Sequence, residues 1–226
     1  MMMENAPAFG LIGHPVSHSL SPALFKAAYG GKYDYALIGG ETFGKAWEAF
    51  ASGPWKAVNV TAPYKTAAAN AALVKSREVQ EIGAANILVR TEDGIAAYNS
   101  DYLGVRLLLG EVAPEGGTAA VIGLGGAGRA ALAAARDCGF QVRAFHHDGI
   151  ADGVRADVVI CTLPRPVEGL DRLDCRVLVE ANYLEPCLEG HPGYVGGKRW
   201  LLAQAICGFG LMTGEEPDVE AMKKVF

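Results

Sequence analysis

The 226-residue sequence contains no apolar run approaching the ~20 residues that a membrane-spanning helix requires. It has no excess of positive charge. Twenty Lys and Arg stand against 25 Asp and Glu, for a net charge of −5. A nucleic-acid binder normally carries a basic face, so that class is set aside. The opening, Met1-Met2-Met3-Glu4-Asn5, has no basic segment followed by an apolar one, and predicts no signal peptide. Together these absences point to a cytoplasmic protein. The five cysteines (Cys138, Cys161, Cys175, Cys187 and Cys207) are odd in number and contain no C-x-x-C pair. That argues against a disulfide framework and a structural zinc site, and predicts small buried hydrophobes instead. The histidines (His14, His18, His146, His147 and His191) never fall in an H-E-x-x-H spacing, so no metal site is expected. Repeats and low-complexity tracts are also missing.

What is present is a core. Half of the residues are hydrophobic and 20% are charged, which is ordinary globular composition. The length suits one large domain or two small ones. Glycine is the one excess, at 29 residues, about 13% against a usual ~7%. The glycines punctuate apolar runs that alternate between strand and helix patterns. Strands are predicted at Phe9–Ile12, Tyr33–Ile38, Ala57–Val60, Ala85–Val89 and Ile95–Ala97, the last two as a hairpin around Glu92-Asp93-Gly94. Helices are predicted at Ser21–Gly30, Gly44–Ala51, Tyr64–Val74 and Tyr102–Leu109. Gly110–Gly117 reads as a loop or linker by its Gly and Pro content. Beyond it come strands at Ala119–Gly123, Val142–Phe145, Ala156–Leu163 and Arg176–Ala181, with helices at Ala127–Cys138 and Trp200–Thr213. The nearly continuous apolar strands fit a parallel sheet covered on both faces. Two small α/β domains are expected, with the break near 105–117.

Two groups of residues carry chemistry. Gly123-Leu124-Gly125-Gly126-Ala127-Gly128-Arg129 follows a strand, opens a helix and fits G-x-G-x-x-G. The first glycine allows the turn, the second lets backbone approach a pyrophosphate, and the third lets helix and strand pack closely. The phosphates would rest on free N–H groups at the positive end of the helix. The plainer reading is a tight turn that binds nothing. The acidic ribose partner belongs ~20 residues on, where the sequence reads Phe145-His146-His147-Asp148. Asp148 there suits a ribose hydroxyl. The alternative is a polar exit from the strand.

The first half of the chain holds the second group. Ser19 and Ser21 precede a helix at i and i+2, where they suit a carboxylate or simple N-capping. Thr61 and Lys65 follow an apolar strand, and Asp101 follows another. Strand C-terminal ends are where α/β sheets place ligands, and a Lys–Asp pair can relay a proton to or from a hydroxyl. Spacing alone does not bring Lys65 and Asp101 together, and a lone lysine is usually solvated surface.

Taken in order, the segments Ser19-x-Ser21-Pro22, Asn59-Val60-Thr61-x-Pro63-x-Lys65, Gly83-Ala84-Ala85-Asn86, Asn99-Ser100-Asp101-x-x-Gly104 and Gly123-x-Gly125-Gly126-Ala127-x-Arg129, followed by Tyr183 and Gln204-Ala205, resemble the shikimate dehydrogenase family. The resemblance covers nearly the whole chain. It implies an N-terminal α/β substrate domain (1–104 with 202–226) and a C-terminal Rossmann-like dinucleotide-binding domain (105–201). The closing helices are expected to pack back on the first domain. The implied reaction is the reversible NADPH-dependent reduction of 3-dehydroshikimate to shikimate in aromatic amino-acid (chorismate) biosynthesis. By the same resemblance Ser19 and Ser21 hold the substrate carboxylate, and Lys65 and Asp101 form the catalytic pair. Thr61, Asn86, Asp101 and Gln204 bind ring hydroxyls, and Tyr183 lines the pocket. Gly123, Gly125, Gly126 and Ala127 meet the cofactor phosphates. The only partner implied is the small-molecule substrate, with a monomer or homodimer expected.

The chain is short for the family and departs from its pattern at four places, all on the cofactor side. His146-His147-Asp148 stands where the family has Asn-Arg-Thr, whose Arg grips the 2′-phosphate. Cys161-Thr162-Leu163 replaces Asn-x-Thr. Arg199, followed by Trp200 and Leu201, replaces the Gly before Met-Leu. Tyr183-Leu184-Glu185-Pro186 is one residue longer than Tyr-x-Pro. Three readings follow. NADP(H), the favoured one, would be held through Arg129, His147 or a loop basic group. NAD(H) would use Asp148, as in an NAD-dependent quinate/shikimate dehydrogenase. A protein that holds cofactor weakly would be a non-catalytic shikimate-binding relative.

Overall fold

The computed structural model describes residues 8–226. The Met1-Met2-Met3-Glu4-Asn5 opening, read above for a signal peptide, lies outside them. The described chain divides into two compact units. One runs up to Ser100 and resumes with Ala205–Phe226; the other is Asp101–Gln204.

The first unit is built on a six-stranded mixed sheet. Its strands are β1 (Phe9–Gly13), β2 (Tyr35–Gly39), β3 (Ala57–Val60), β4 (Val74–Lys75), β5 (Ile87–Thr91) and β6 (Gly94–Tyr98), in spatial order β2-β1-β3-β5-β6-β4. β1 pairs in parallel with both β2 and β3. These strands are joined by helices α1 (Ser21–Ala28) and α2 (Phe43–Ser52), the βαβ crossovers that parallel strands require. α1 starts with Pro near its first position, and Thr42 caps α2 by accepting from the Lys45 N–H at 3.4 Å. After β3 the chain forms α3 (Lys65–Ala71) and α4 (Arg77–Ile82), then the hairpin β5–β6 with a two-residue Glu92-Asp93 loop.

That hairpin decides where the polar residues go. β5 runs antiparallel to β3, and β6 antiparallel to β5. The start of β5 and the end of β6 therefore lie at the edge where β1 and β3 end. Three backbone bonds tie this edge together: Thr61 N–H to Ile12 C=O (2.8 Å), Val60 N–H to Asn86 C=O (2.8 Å) and Asn86 N–H to Tyr98 C=O (3.1 Å). Buried Asn86 then bonds Ser100 in both directions. Its Oδ1 accepts the Ser100 N–H at 2.6 Å, and its Nδ2 donates to Ser100 Oγ at 3.0 Å. Asn99 donates to the Ala84 carbonyl at 2.8 Å. These bonds fix the start of α5 (Ser100–Val112).

The second unit holds β7 (Thr118–Ile122), α6 (Gly126–Asp137), β8 (Gln141–Phe145), β9 (Val154–Arg155), β10 (Val158–Cys161), β11 (Leu173–Asp174), β12 (Val177–Glu180) and β13 (Tyr194–Val195). Five of these strands form an all-parallel sheet in the order β13-β12-β10-β7-β8; β9 and β11 pair separately. The chain leaves β7 through α6 to β8 on one side, then returns to β10 on the other. Such a reversal opens a crevice at the strand C-terminal ends. The apolar strands fit the reading of a sheet buried on both faces: β10 and β12 are buried at every residue.

α7 (Gly197–Thr213) starts in the second unit and ends in the first, followed there by α8 (Val219–Lys223). Its end and α8 close over α1. Phe209 meets Phe25 at 4.9 Å between ring centroids, and the Asp218 N–H donates to Ala28 C=O at 2.9 Å. Lys32 and Tyr33 both bind the Glu215 carboxylate, at 2.6 and 2.7 Å.

The structure departs from the sequence expectations at several points. The single helix at Tyr64–Val74 is α3 followed by β4. Ala72 turns extended, and sheet pairing of Val74 with Ala96 takes over from helix propensity. α4, absent from the sequence reading, is only six residues long, too short to produce a clear helical period. The loop expected from Gly110 begins later, because α5 continues through Gly110 and Glu111 to Val112. Of the cysteines expected inside, only Cys161 is fully buried; Cys187 is exposed and the other three are half-buried. Cys187 stands in the loop after β12, where its thiol donates to Glu180 Oε1 at 3.4 Å.

Two substitutions test this packing. Phe25 is fully enclosed among Phe9, Tyr29, Tyr35 and Phe209, so Phe25→Ala should lower the stability measured by denaturant titration by about 3–5 kcal/mol. Asn86→Ala should cost about 1–3 kcal/mol in the same titration, because it removes the partner of the buried Ser100 N–H and the donor to Ser100 Oγ. An unchanged midpoint would mean that the Asn86–Ser100 lock does not organise the edge.

Candidate functional site

In the first unit the sheet edge gathers Ser19, Ser21, Thr61, Lys65 and Asn86. Ser19 sits in the turn that leads from β1 into α1 and Ser21 is the first residue of α1, where its N–H donates to Ser19 Oγ at 3.2 Å. Thr61 follows β3. It fits against β1 because Gly13 lacks a side chain: a Cβ there would stand 2.3 Å from Thr61 Cγ2. Lys65 opens α3 and is half-buried, with its carbonyl accepting the Ala85 N–H at 2.9 Å. Hydroxyls, an amide and an ammonium thus lie on one edge, a donor set suited to a small acid with several hydroxyl groups.

Tyr35 was missed by the sequence reading. Its hydroxyl donates to Asn59 Oδ1 at 2.7 Å and also hydrogen-bonds Ser21. Burial pushes the phenol far above its ordinary range, so it stays a neutral donor behind the serine turn. Its signal was weak, since an aromatic near the start of a strand usually reads as core.

In the second unit Asp101 lies in the first turn of α5 and is buried. Its Oδ1 accepts the indole N–H of Trp200 at 3.1 Å. Lys65 belongs to the first unit and Asp101 to the second. Gln204 is buried on α7, with its Nε2 donating to the Leu201 carbonyl at 3.1 Å. Tyr183 follows β12 in a loop shaped by Asn182, whose Oδ1 accepts the N–H groups of Leu184 and Glu185 at 3.1 and 3.2 Å. This Asx turn accommodates the extra residue before Pro186.

The glycine turn sits where β7 ends beside β10. Gly123 has φ +89°, and a Cβ on Gly128 would stand 1.8 Å from the Gly123 carbonyl oxygen. Thr162 closes the turn from β10, its Oγ1 donating toward the carbonyls of Ile122 and Gly123 at 3.1 Å each. Gly125 differs: a Cβ there would meet nothing within 4 Å, and no side chain caps α6 from that position. The helix therefore presents the N–H groups of Gly126 and Ala127 next to open space, a cradle that fits the phosphates of a dinucleotide. Arg129 lies in the same first turn and is half-buried. His146, His147 and Asp148 form an exposed turn just after β8, with the Gly149 N–H donating to the His146 carbonyl at 3.1 Å. Arg199, at the position of the family's glycine, pairs with Glu111 of α5 at 2.8 Å. Among the described residues no group of three or more His, Cys, Asp or Glu is placed to hold a metal ion.

Comparison with known proteins agrees with this anatomy. A family profile, the shikimate dehydrogenase substrate binding domain, matches residues 11–88. A shikimate dehydrogenase (NADP(+)) of Haloarcula marismortui is 30% identical over 256 aligned positions, spanning 95% of this chain and 96% of the relative. One of Anaeromyxobacter dehalogenans is 29% identical over 92% of this chain and 80% of its own length. Among solved structures, the shikimate 5-dehydrogenase of Thermus thermophilus in complex with NADP(H) and shikimate superposes with a TM-score of 0.81 at 26% identity, covering 96% of this chain and 97% of that one. The shikimate dehydrogenase from Aquifex aeolicus shares the fold with a TM-score of 0.84. The ordered motifs, the two-unit fold and a relative aligned along nearly its whole length agree, and the chain belongs to the shikimate dehydrogenase family.

Proposed function

We propose that this chain catalyses the reversible reduction of 3-dehydroshikimate to shikimate with NADPH, as the names of its relatives suggest. The observation that carries the reading is the polar edge of the first unit, where Ser19, Ser21, Thr61, Lys65 and Asn86 converge at the strand ends. Shikimate has one carboxylate and three ring hydroxyls. Each polar group taken from water needs a partner, and this edge offers them.

In this reading Ser19 and Ser21 hold the carboxylate. Thr61, Asn86 and Gln204 bind ring hydroxyls, and Tyr183 lines the pocket. Asn86 is pre-oriented, because its amide plane is already fixed by Ser100. Lys65 stands beside the carbonyl that becomes a hydroxyl. Negative charge grows on that oxygen during reduction, and an ammonium next to it stabilises the charge and donates the proton. Asp101 is the second member of the catalytic pair and accepts from a substrate hydroxyl. The cofactor, when bound, supplies the hydride. The N–H groups of the Gly125-Gly126-Ala127 turn are the partners for its phosphates. Arg129 and His147 are the basic groups proposed for the 2′-phosphate of NADP(H), and Asp148 is the group that would serve a bare ribose.

No helix among the described residues is long and apolar enough to cross a membrane. We place the protein in the cytoplasm as a monomer or homodimer, acting on a small-molecule substrate.

The test is NADP⁺ reduction in the presence of shikimate, followed by nicotinamide absorbance. Lys65→Ala should lower kcat by roughly 10²–10⁴ with little change in KM. Ser19→Ala should instead raise KM, by the ~1–3 kcal/mol lost when a charged group loses a partner. A Lys65→Ala variant at full rate would remove the lysine from the mechanism, and no turnover by the unaltered protein would remove the activity.

A further inference from the structure

Trp200 is not among the residues to which the family pattern gives a role in this reaction, yet its contact is specific. The residue is 5% exposed and its partner Asp101 is 4% exposed, and the indole N–H lies 3.1 Å from Asp101 Oδ1. We propose that Trp200 is a positioning residue: its indole N–H holds the Asp101 carboxylate in its working orientation. This proposal rests on the assignment of Asp101 to the catalytic pair.

The chemistry of the donor supports it. An indole N–H donates and cannot accept. It therefore pairs with a carboxylate oxygen, which offers a lone pair. The residue expected at this position from the family pattern is Met, whose thioether has no hydrogen to donate.

The surrounding packing holds the donor in place. Three features set the first turns of α7 in this unit. Gly197 lies so close to the Asn182–Tyr183 backbone that a Cβ would stand 2.5 Å from the Asn182 carbonyl carbon. Gly104 of α5 lies against α7, where a Cβ would stand 2.6 Å from the Gln204 nitrogen. Arg199, the residue before Trp200, is tied to Glu111 of α5 at 2.8 Å. The indole is therefore anchored on both sides of Trp200 along α7, and the carboxylate it holds sits in the first turn of α5. A buried indole N–H needs some acceptor for stability alone. What favours a role in the reaction is that the acceptor is the one buried carboxylate assigned to the chemistry.

The experiment compares Trp200→Phe, which keeps an aromatic ring and removes the donor, in two backgrounds. In the otherwise unaltered protein we expect kcat for shikimate oxidation to fall about tenfold to a hundredfold, the loss of one hydrogen bond to a charged group. In the Asp101→Asn background the same change should have little further effect on kcat. A structural role alone would lower the melting temperature and leave kcat unchanged, or reduce it equally in both backgrounds; either result overturns the proposal. A second readout needs no turnover. In ¹⁵N-labelled protein the indole N–H resonance missing from Trp200→Phe should shift in Asp101→Asn and on addition of shikimate. A resonance unmoved by both overturns the contact even if Trp200→Phe folds too poorly for kinetics. An Asp101→Asn variant with normal kcat, together with a shifted indole resonance, would overturn the catalytic assignment of Asp101 and leave the hydrogen bond standing.

Discussion

The reciprocal hydrogen bonds between Asn86 and Ser100 are the constraint on which the first unit depends. β1, β2 and β3 are parallel, and their ends alone would present only the residues that follow β1 and β3. The chain then reverses twice, through β5 and β6, and both reversals must register with the parallel strands. Asn86 sits where that register is decided. Its backbone bonds to Val60 and Tyr98, and its side chain bonds to the first residue of α5. One buried amide thus ties β3, β5, β6 and α5 to a single edge. A buried amide costs free energy unless its groups are satisfied, so the arrangement is all or nothing, which suits a site that must be held in place before its ligand arrives.

The second unit relies on missing side chains rather than on a polar lock. Gly128 lets α6 lie against the Gly123 carbonyl, and Gly104 and Gly197 let α5 and α7 approach other backbone within contact distance. Each is a place where any Cβ would force the backbone apart. Gly125 is different in kind, since space beside it is open. A glycine that serves no packing purpose leaves room for something else to approach the backbone, and a helix N-terminus with its N–H groups uncapped favours an anion there.

Much of this was legible in the sequence. The apolar strands of the second unit and the glycine turn stood out because a buried parallel strand is a continuous apolar run and the G-x-G-x-x-G segment follows a strand and opens a helix. The serine turn was legible as paired hydroxyls before a helix, and Thr61 and Lys65 as polar groups at the end of an apolar strand; Asn86 came only from the resemblance, because it falls inside the expected strand Ala85–Val89. Other features were not. β4 and α4 are too short for a period to emerge. The helix through Gly110 was hidden because glycine reads as a breaker, while tertiary packing of Leu108 and Leu109 carried α5 past it. Tyr35 and Trp200 act through single hydroxyl and indole groups on residues whose bulk reads as core. Arg199 stood out only as a departure from the family's glycine, and its partner, Glu111, lies 88 positions away, a separation that no local pattern reveals.

The substrate edge and the glycine turn are assembled from different stretches of chain, and substrate recognition is assigned to the first of them. Isothermal titration of shikimate into the cofactor-free protein tests this most directly. The expected result is one-to-one binding that Thr61→Val weakens and that Gly125→Val, a substitution into open space at the turn, leaves unchanged. Absence of binding, or equal loss in both variants, would contradict it.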